Sequence, residues 1–234
     1  MPSCAKEIRR FAPRGGCASG DRVILVHGLL MSGHVLYPVG AHLARRGFLS
    51  VLYDYPTRRA GVDEHGAVLG AFIEREISAM EPSGGRLHFV THSMGGLLLR
   101  SALRKLSLRA RERVGRIVMI APPNKGSDVA EAVLRRLSFA EKIVRCLPDL
   151  SSVPHSFANA FPEPDETFEI GIIAGSHDRK VAVASTRLTH ERDHLTLRSS
   201  HTAILFRKQT AHQAAHFLLH GAFERHPEQG DLKP

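Results

Sequence analysis

The chain has 234 residues, 43% of them hydrophobic, and a formal net charge of +9. That length accommodates one large α/β domain or two small ones. No apolar run approaches the ~20 residues needed to span a bilayer, and the basic start MPSCAKEIRRFAPRGG has no apolar segment of the kind a secretory signal carries.

Three cysteines, Cys4, Cys17 and Cys146, give an odd count without metal-ligand spacing. This argues against a disulfide framework and for a reducing, cytoplasmic setting. The positive charge raises nucleic acid or an anionic membrane surface as partners. However, the arginines fall as scattered pairs (Arg45-Arg46, Arg58-Arg59, Arg135-Arg136) with no interleaved aromatics and no Trp. Nucleic acid is therefore not expected, while peripheral membrane contact through a basic surface stays open. His212, His216 and His220 recur at helical spacing without the Glu of a metalloprotease helix, which reads as a polar helix face.

In chain order, residues 1–20 read as a loose leader. Val23 to Val26 is a buried parallel strand running into His27-Gly28-Leu29-Leu30. His34 to Arg46 has helical spacing and stops at Gly47; Phe48 to Tyr53 is a second strand, ending at Asp54-Tyr55-Pro56. Val62 to Met80 is a long amphipathic helix. Leu87, Phe89 and Val90 form a third strand that turns sharply at Thr91-His92-Ser93-Met94-Gly95-Gly96 into a helix through Leu106. Arg116 to Ile120 is a fourth strand, followed by APPNKG. From Ser127 to Glu166 the rhythm breaks into short helical patches among prolines, an excursion over the sheet that could act as a small lid. Thr167 to Ala174 and His194 to Leu197 are the last strands. Thr202 to His220 is the closing helix, ended by Gly221, and 224–234 is a polar tail.

Strands alternating with helices imply right-handed crossovers and a mostly parallel sheet of about six strands, covered by helices on both faces. In such sheets function gathers at the carboxyl ends of the strands. The polar residues falling there are His27, Asp54, Ser93, Asn124, Asp178 and His201. They include a nucleophile, an acid and a base, in the order Ser, Asp, His. A serine hydroxyl needs such help because it is a poor nucleophile at neutral pH. A strand-to-helix turn also stands it clear of the backbone at the positive end of a helix. Among the rivals, His92 packs beside the turn, His190 and His194 precede or lie within the last strand, Asp128 reads as a helix-capping carboxylate, and Asp149 and Asp165 read as solvated.

With VHGLLMSG after the first strand, THSMGG at the turn, APPNKGSDVA after the fourth strand, and GSHDRK and RSSHTAILF near the end, the chain resembles the α/β-hydrolase family, and within it small lipase-like and esterase-like members. The resemblance spans Asp21 to Phe223 and implies one domain over 21–223, without a large cap and with a possible small lid at 127–166. It implies Ser93 as nucleophile, His201 as general base and Asp178 as its orienting carboxylate, with the backbone N–H groups of Leu29 and Met94 as oxyanion hole. It implies no metal or organic cofactor and a small-molecule ester or lipid as substrate; oligomeric state is not indicated. Two departures stand out. Thr91 occupies the place of the first Gly in G-x-S-x-G, and the acid loop Ser176-His177-Asp178-Arg179-Lys180 is trimmed. An acyltransferase on the same residues, and a non-catalytic binding protein of the same fold, are the alternatives.

Overall fold

Runs such as Val23 to Val26, fully buried over four consecutive residues, cannot alternate between core and solvent. They demand helices on both sides of the sheet. The computed structural model describes residues 6–13, 20–80, 84–137 and 139–225. Its seven-stranded sheet has the order β1-β3-β2-β4-β5-β6-β7. Strands β2 (Arg22–Val26), β3 (Leu49–Asp54), β4 (Leu87–His92), β5 (Val114–Ile120), β6 (Ile170–Gly175) and β7 (Asp193–Leu197) are parallel. These are the six strands the sequence implied.

The seventh, β1 (Lys6–Phe11), pairs antiparallel with β3 along one edge. It lies inside the stretch expected to be a loose leader, and that expectation is corrected for these residues. An edge strand needs little apolar alternation, because its charges face water and discourage further pairing. Side chains far along the chain hold it. The Phe11 ring meets Tyr37 edge-on at 4.8 Å, and Arg10 donates to the buried Glu76 carboxylate at 2.6 Å. Arg22 bonds the same carboxylate from β2 at 3.2 Å. The remainder of the expected leader around Cys4 and Cys17 lies outside the described residues, as does most of the polar tail. Cys146 is buried and unbonded to another cysteine.

Helices α1 (Tyr37–Arg45) and α8 (Lys208–His220) cover one face over a core that includes Leu43, Leu52, Val90 and Phe217. Helices α2 (Val62–Ser78) and α3 (Met94–Lys105) cover the other, over Ile24, Phe72, Leu98 and Met119. The short α4 (Leu108–Arg113) is capped by the Ser107 side chain accepting from the Ala110 N–H, a helix the sequence reading missed. The two helices expected from His34 and Thr202 each begin instead as a 3-10 turn (Gly33–Leu36 and Ala203–Phe206) before the α-helix starts. In α1 that start coincides with Pro38 at the first turn, where a missing N–H costs nothing.

Between β5 and β6 lie three short helices, α5 (Asp128–Arg136), α6 (Ala140–Ile143) and α7 (Phe157–Ala160). Ser127, not Asp128, is the side chain that caps α5. Asp149, read as solvated, is half-buried and accepts the Val62 N–H at 2.7 Å, closing the N-terminus of α2. The excursion is tied down by Arg100 of α3, whose side chain is buried. It donates to the carbonyls of Asn124, Ala158 and Phe161.

Candidate active site

Ser93 sits where β4 becomes α3, with φ 52° and ψ −127°. An L-residue adopts a positive φ only at a cost of order 1–3 kcal/mol, so its surroundings must impose it. They do so through three close approaches. The Ser93 N–H donates to the Ile120 carbonyl at 2.9 Å. A Cβ on Gly95 would stand 2.5 Å from the Val26 carbonyl oxygen, and one on Gly28 would stand 2.9 Å from the Ser93 Cβ. The end of β2 is therefore pressed directly onto the turn. Thr91, in the place of a glycine, is fully buried.

The structure brings the three predicted side chains into one hydrogen-bonded chain. His201 Nε2 lies 3.0 Å from Ser93 Oγ, and His201 Nδ1 lies 2.6 Å from Asp178 Oδ2. Asp178 follows β6 and His201 follows β7, so His201 reaches the serine and Asp178 reaches His201 from neighbouring strand ends. The Asp178 side chain is 1% exposed and that of His201 8%. The other carboxylate oxygen, Oδ1, accepts the N–H groups of Lys180 and Val181 at 2.8 and 3.0 Å. Burial alone would raise the Asp178 carboxyl, but the bond and charge of His201 and these two N–H groups outweigh it and hold the group below its ordinary range. An ionised Asp178 makes Nδ1 the protonated nitrogen, leaving the Nε2 lone pair facing the serine hydroxyl.

His92, beside the serine, is fully buried. Its Nε2–H donates to the His201 carbonyl at 2.9 Å, fixing the backbone that carries His201. Burial, and then the proximity of His201, push its pKa down to about 3, so it stays neutral. His194 bonds Thr186 at 3.0 Å and does not reach the turn, and His190 is exposed.

The loop after β2 is held by residues at the end of β3 and just after it. Asp54 Oδ1 accepts the Gly33 N–H at 2.9 Å and lies 3.0 Å from His27 Nε2. The Tyr55 hydroxyl donates to the His27 carbonyl at 2.8 Å, and its ring stacks on the His27 ring at 4.4 Å. The Thr57 Oγ1 accepts the Leu30 N–H at 3.2 Å, and Leu30 itself takes a positive φ of 58°. The position of these residues after β3 was the available signal; their partners lie across the sheet. Asn124 supports the loop after β5 by donating to the Thr186 carbonyl at 2.7 Å.

Above Ser93 and His201 opens a cavity of about 460 Å³. Its walls are mostly apolar and come largely from α5 and the chain after it, including Val129, Val133, Phe139, Ile143, Leu147 and Leu150. Leu29 of the β2 loop lines it from the other side. From the 127–166 excursion, the lining residues fall between Ser127 and Leu150. Among the described residues no group of three or more His, Cys, Asp or Glu could hold a metal ion, and no helix is long and apolar enough to cross a membrane.

A parallel sheet with one antiparallel edge, a strained serine at a strand-to-helix turn, and an acid and a histidine after the two following strands define a hydrolase-fold protein. The sequence profile of the Alpha/beta hydrolase family matches residues 23–225, and the chain belongs to that family. No curated protein matches it in sequence. Among solved structures it is similar in fold to the mature form of a Bacillus licheniformis lipase (TM-score 0.67, 17% identity, 84% of this chain and 91% of that one). It is also similar to Aspergillus fumigatus lipase B (TM-score 0.69, 18% identity, 95% of this chain and 58% of that one). A Pyrococcus furiosus esterase superposes with a TM-score of 0.61 at 18% identity, covering 92% of both chains.

Proposed function

We propose that the protein is a serine hydrolase of carboxylic esters that works through an acyl-enzyme on Ser93. The observation that carries this reading is the unbroken chain of hydrogen bonds from Ser93 through His201 to Asp178 at the base of an apolar cavity.

In the proposed cycle, Ser93 Oγ attacks the ester carbonyl carbon while its proton passes to His201 Nε2. Asp178 holds the ring in the required tautomer and stabilises the imidazolium that forms. The carbonyl oxygen becomes an oxyanion facing the N–H groups of Leu29 and Met94. Met94 is the first residue of α3, where an N–H has no partner within the helix and the helix dipole favours negative charge. Each such donor contributes roughly 10²–10³ in rate in characterised acyl-transfer enzymes. The tetrahedral species collapses, the C–O bond to the alcohol breaks, and His201 returns the proton to the departing oxygen. Water, activated by the same histidine, then attacks the acyl-enzyme and releases the acid. The apolar walls suit an acyl chain. No metal or organic cofactor is needed for any step.

A fluorophosphonate probe tests the reading. Label should map to Ser93 and vanish in His201→Ala, and Ser93→Ala should lose ester turnover with an unchanged circular dichroism spectrum. Turnover retained in folded Ser93→Ala overturns it.

A further inference from the structure

The acyl cavity is not the only space that reaches His201. A second, more open groove is walled by Ser176, His177, Arg179, Lys180, Ser200 and Thr202. The two spaces share His201 and Lys180. The acyl cavity is lined mainly by aliphatic and aromatic side chains, whereas the groove is walled by hydroxyls, two histidines, a carboxylate and two cations.

In the groove two cations stand against one carboxylate. Arg179 and Lys180 are exposed, and neither has an ion-pair partner among the described residues. The one carboxylate in the groove wall is Asp178, whose side chain is buried and already committed to His201 and to two backbone N–H groups. The groove touches His201, the group that protonates the departing oxygen or sulfur in the proposed cycle. The group that departs is protonated by His201, so it must leave along the His201 side of the site, while the acyl chain remains on Ser93 in the apolar cavity.

Resting on the esterase reading above, we propose that the groove is a leaving-group subsite and that the substrates are acyl esters or thioesters whose alcohol or thiol bears a phosphate. The acyl chain lies in the cavity under α5 and α6, the reacting oxygen or sulfur stands at His201 Nε2, and the phosphate lies beside Lys180 and Arg179. The hydroxyls of Ser176, Ser200 and Thr202 supply further donors to its oxygens.

Four probes with one decanoyl chain test this. Decanoyl-glycerol 3-phosphate and S-decanoyl phosphopantetheine carry the phosphate on a lipid-like alcohol and on a thiol; monodecanoyl glycerol and S-decanoyl pantetheine are their neutral counterparts. In the full-length protein at low salt, kcat/KM for at least one phosphorylated probe should exceed that of its neutral counterpart by about tenfold, as expected for two exposed cations acting on a dianion. The pair showing the larger ratio identifies the class of leaving group. The ratio should fall several-fold in Arg179→Gln/Lys180→Met and in high salt. A ratio at or below one for both pairs, or one unchanged in the double variant, overturns the subsite while leaving the esterase reading intact. Absence of turnover on all four probes, together with absence of fluorophosphonate label, overturns both.

Discussion

Asp178→Asn separates two roles that the carboxylate could play. If it only anchors His201, the amide would serve nearly as well. It is the same size, and its Oδ1 can still accept the N–H groups of Lys180 and Val181, which the carboxylate now accepts at 2.8 and 3.0 Å. Holding those two bonds turns the NH₂ toward His201 Nδ1, where Oδ2 now stands at 2.6 Å. An NH₂ can only donate, so Nδ1 must become the acceptor and the proton must move to Nε2. Nε2–H then faces the Ser93 hydroxyl across 3.0 Å with no lone pair to take its proton. Loss of a charge-assisted hydrogen bond alone is worth about 1.5–3 kcal/mol, or roughly 10–150-fold in rate. Inversion of the tautomer costs more, on the order of 10⁴-fold in the well-studied serine proteases. We expect kcat of Asp178→Asn on a chromogenic ester to fall by about 10³–10⁴-fold at neutral pH, with KM little changed and the melting temperature within a few degrees. A variant keeping more than about a tenth of the wild-type kcat would refute the orienting role and return attention to another acid.

Three further outcomes follow from single distances and burials. The folded pKa of His92 is depressed to about 3, so its contribution to stability is present above the unfolded value near 6.5 and is lost as pH falls below it; between pH 7 and pH 5 this one residue should remove about 2 kcal/mol. Denaturant unfolding of the wild type and His92→Gln at both pH values should show the smaller acid-side loss in the variant, whose amide keeps the donor to the His201 carbonyl. Gly95→Ala would drive a methyl to 2.5 Å from the Val26 carbonyl oxygen, and should cost about 1–3 kcal/mol along with most of the activity; an Ala variant with wild-type stability would show that β2 does not press on the turn. Ala130→Phe adds a ring to the wall of the cavity from α5, and should cut kcat/KM for decanoyl esters by at least tenfold while butyryl esters lose little, as measured by initial rates across a chain-length series.

Much of this arrangement was legible because parallel strands announce themselves as unbroken apolar runs, and polar residues at their ends are few. Ser93, Asp178 and His201 could each be placed after a strand, and the structure brings all three together. What escaped the sequence shares a different character. Strand β1 is short, charged and on an edge, and it is recruited by Phe11 and Arg10 finding partners at Tyr37 and Glu76, far along the chain. The roles of Arg100, Asp54 and Asp149 depend on carbonyls and N–H groups that no local pattern reveals. Thr91 departs from the glycine of the usual turn, yet the structure accommodates it fully buried.

The trimmed acid loop carries the same lesson one step further. Five residues, Ser176 to Lys180, must return the chain from β6 while aiming a carboxylate at His201, and the loop does so by folding its own backbone onto that carboxylate through the N–H groups of Lys180 and Val181. The cations flanking the groove are therefore set by the same turn that sets the acid. A longer loop could change its backbone without disturbing Asp178; this one cannot. Changes of backbone length or proline at 179–181 should accordingly alter the orientation of His201 and the charge at the leaving-group side together, whereas side-chain exchanges at Arg179 and Lys180 that leave the backbone free to donate should alter only the second.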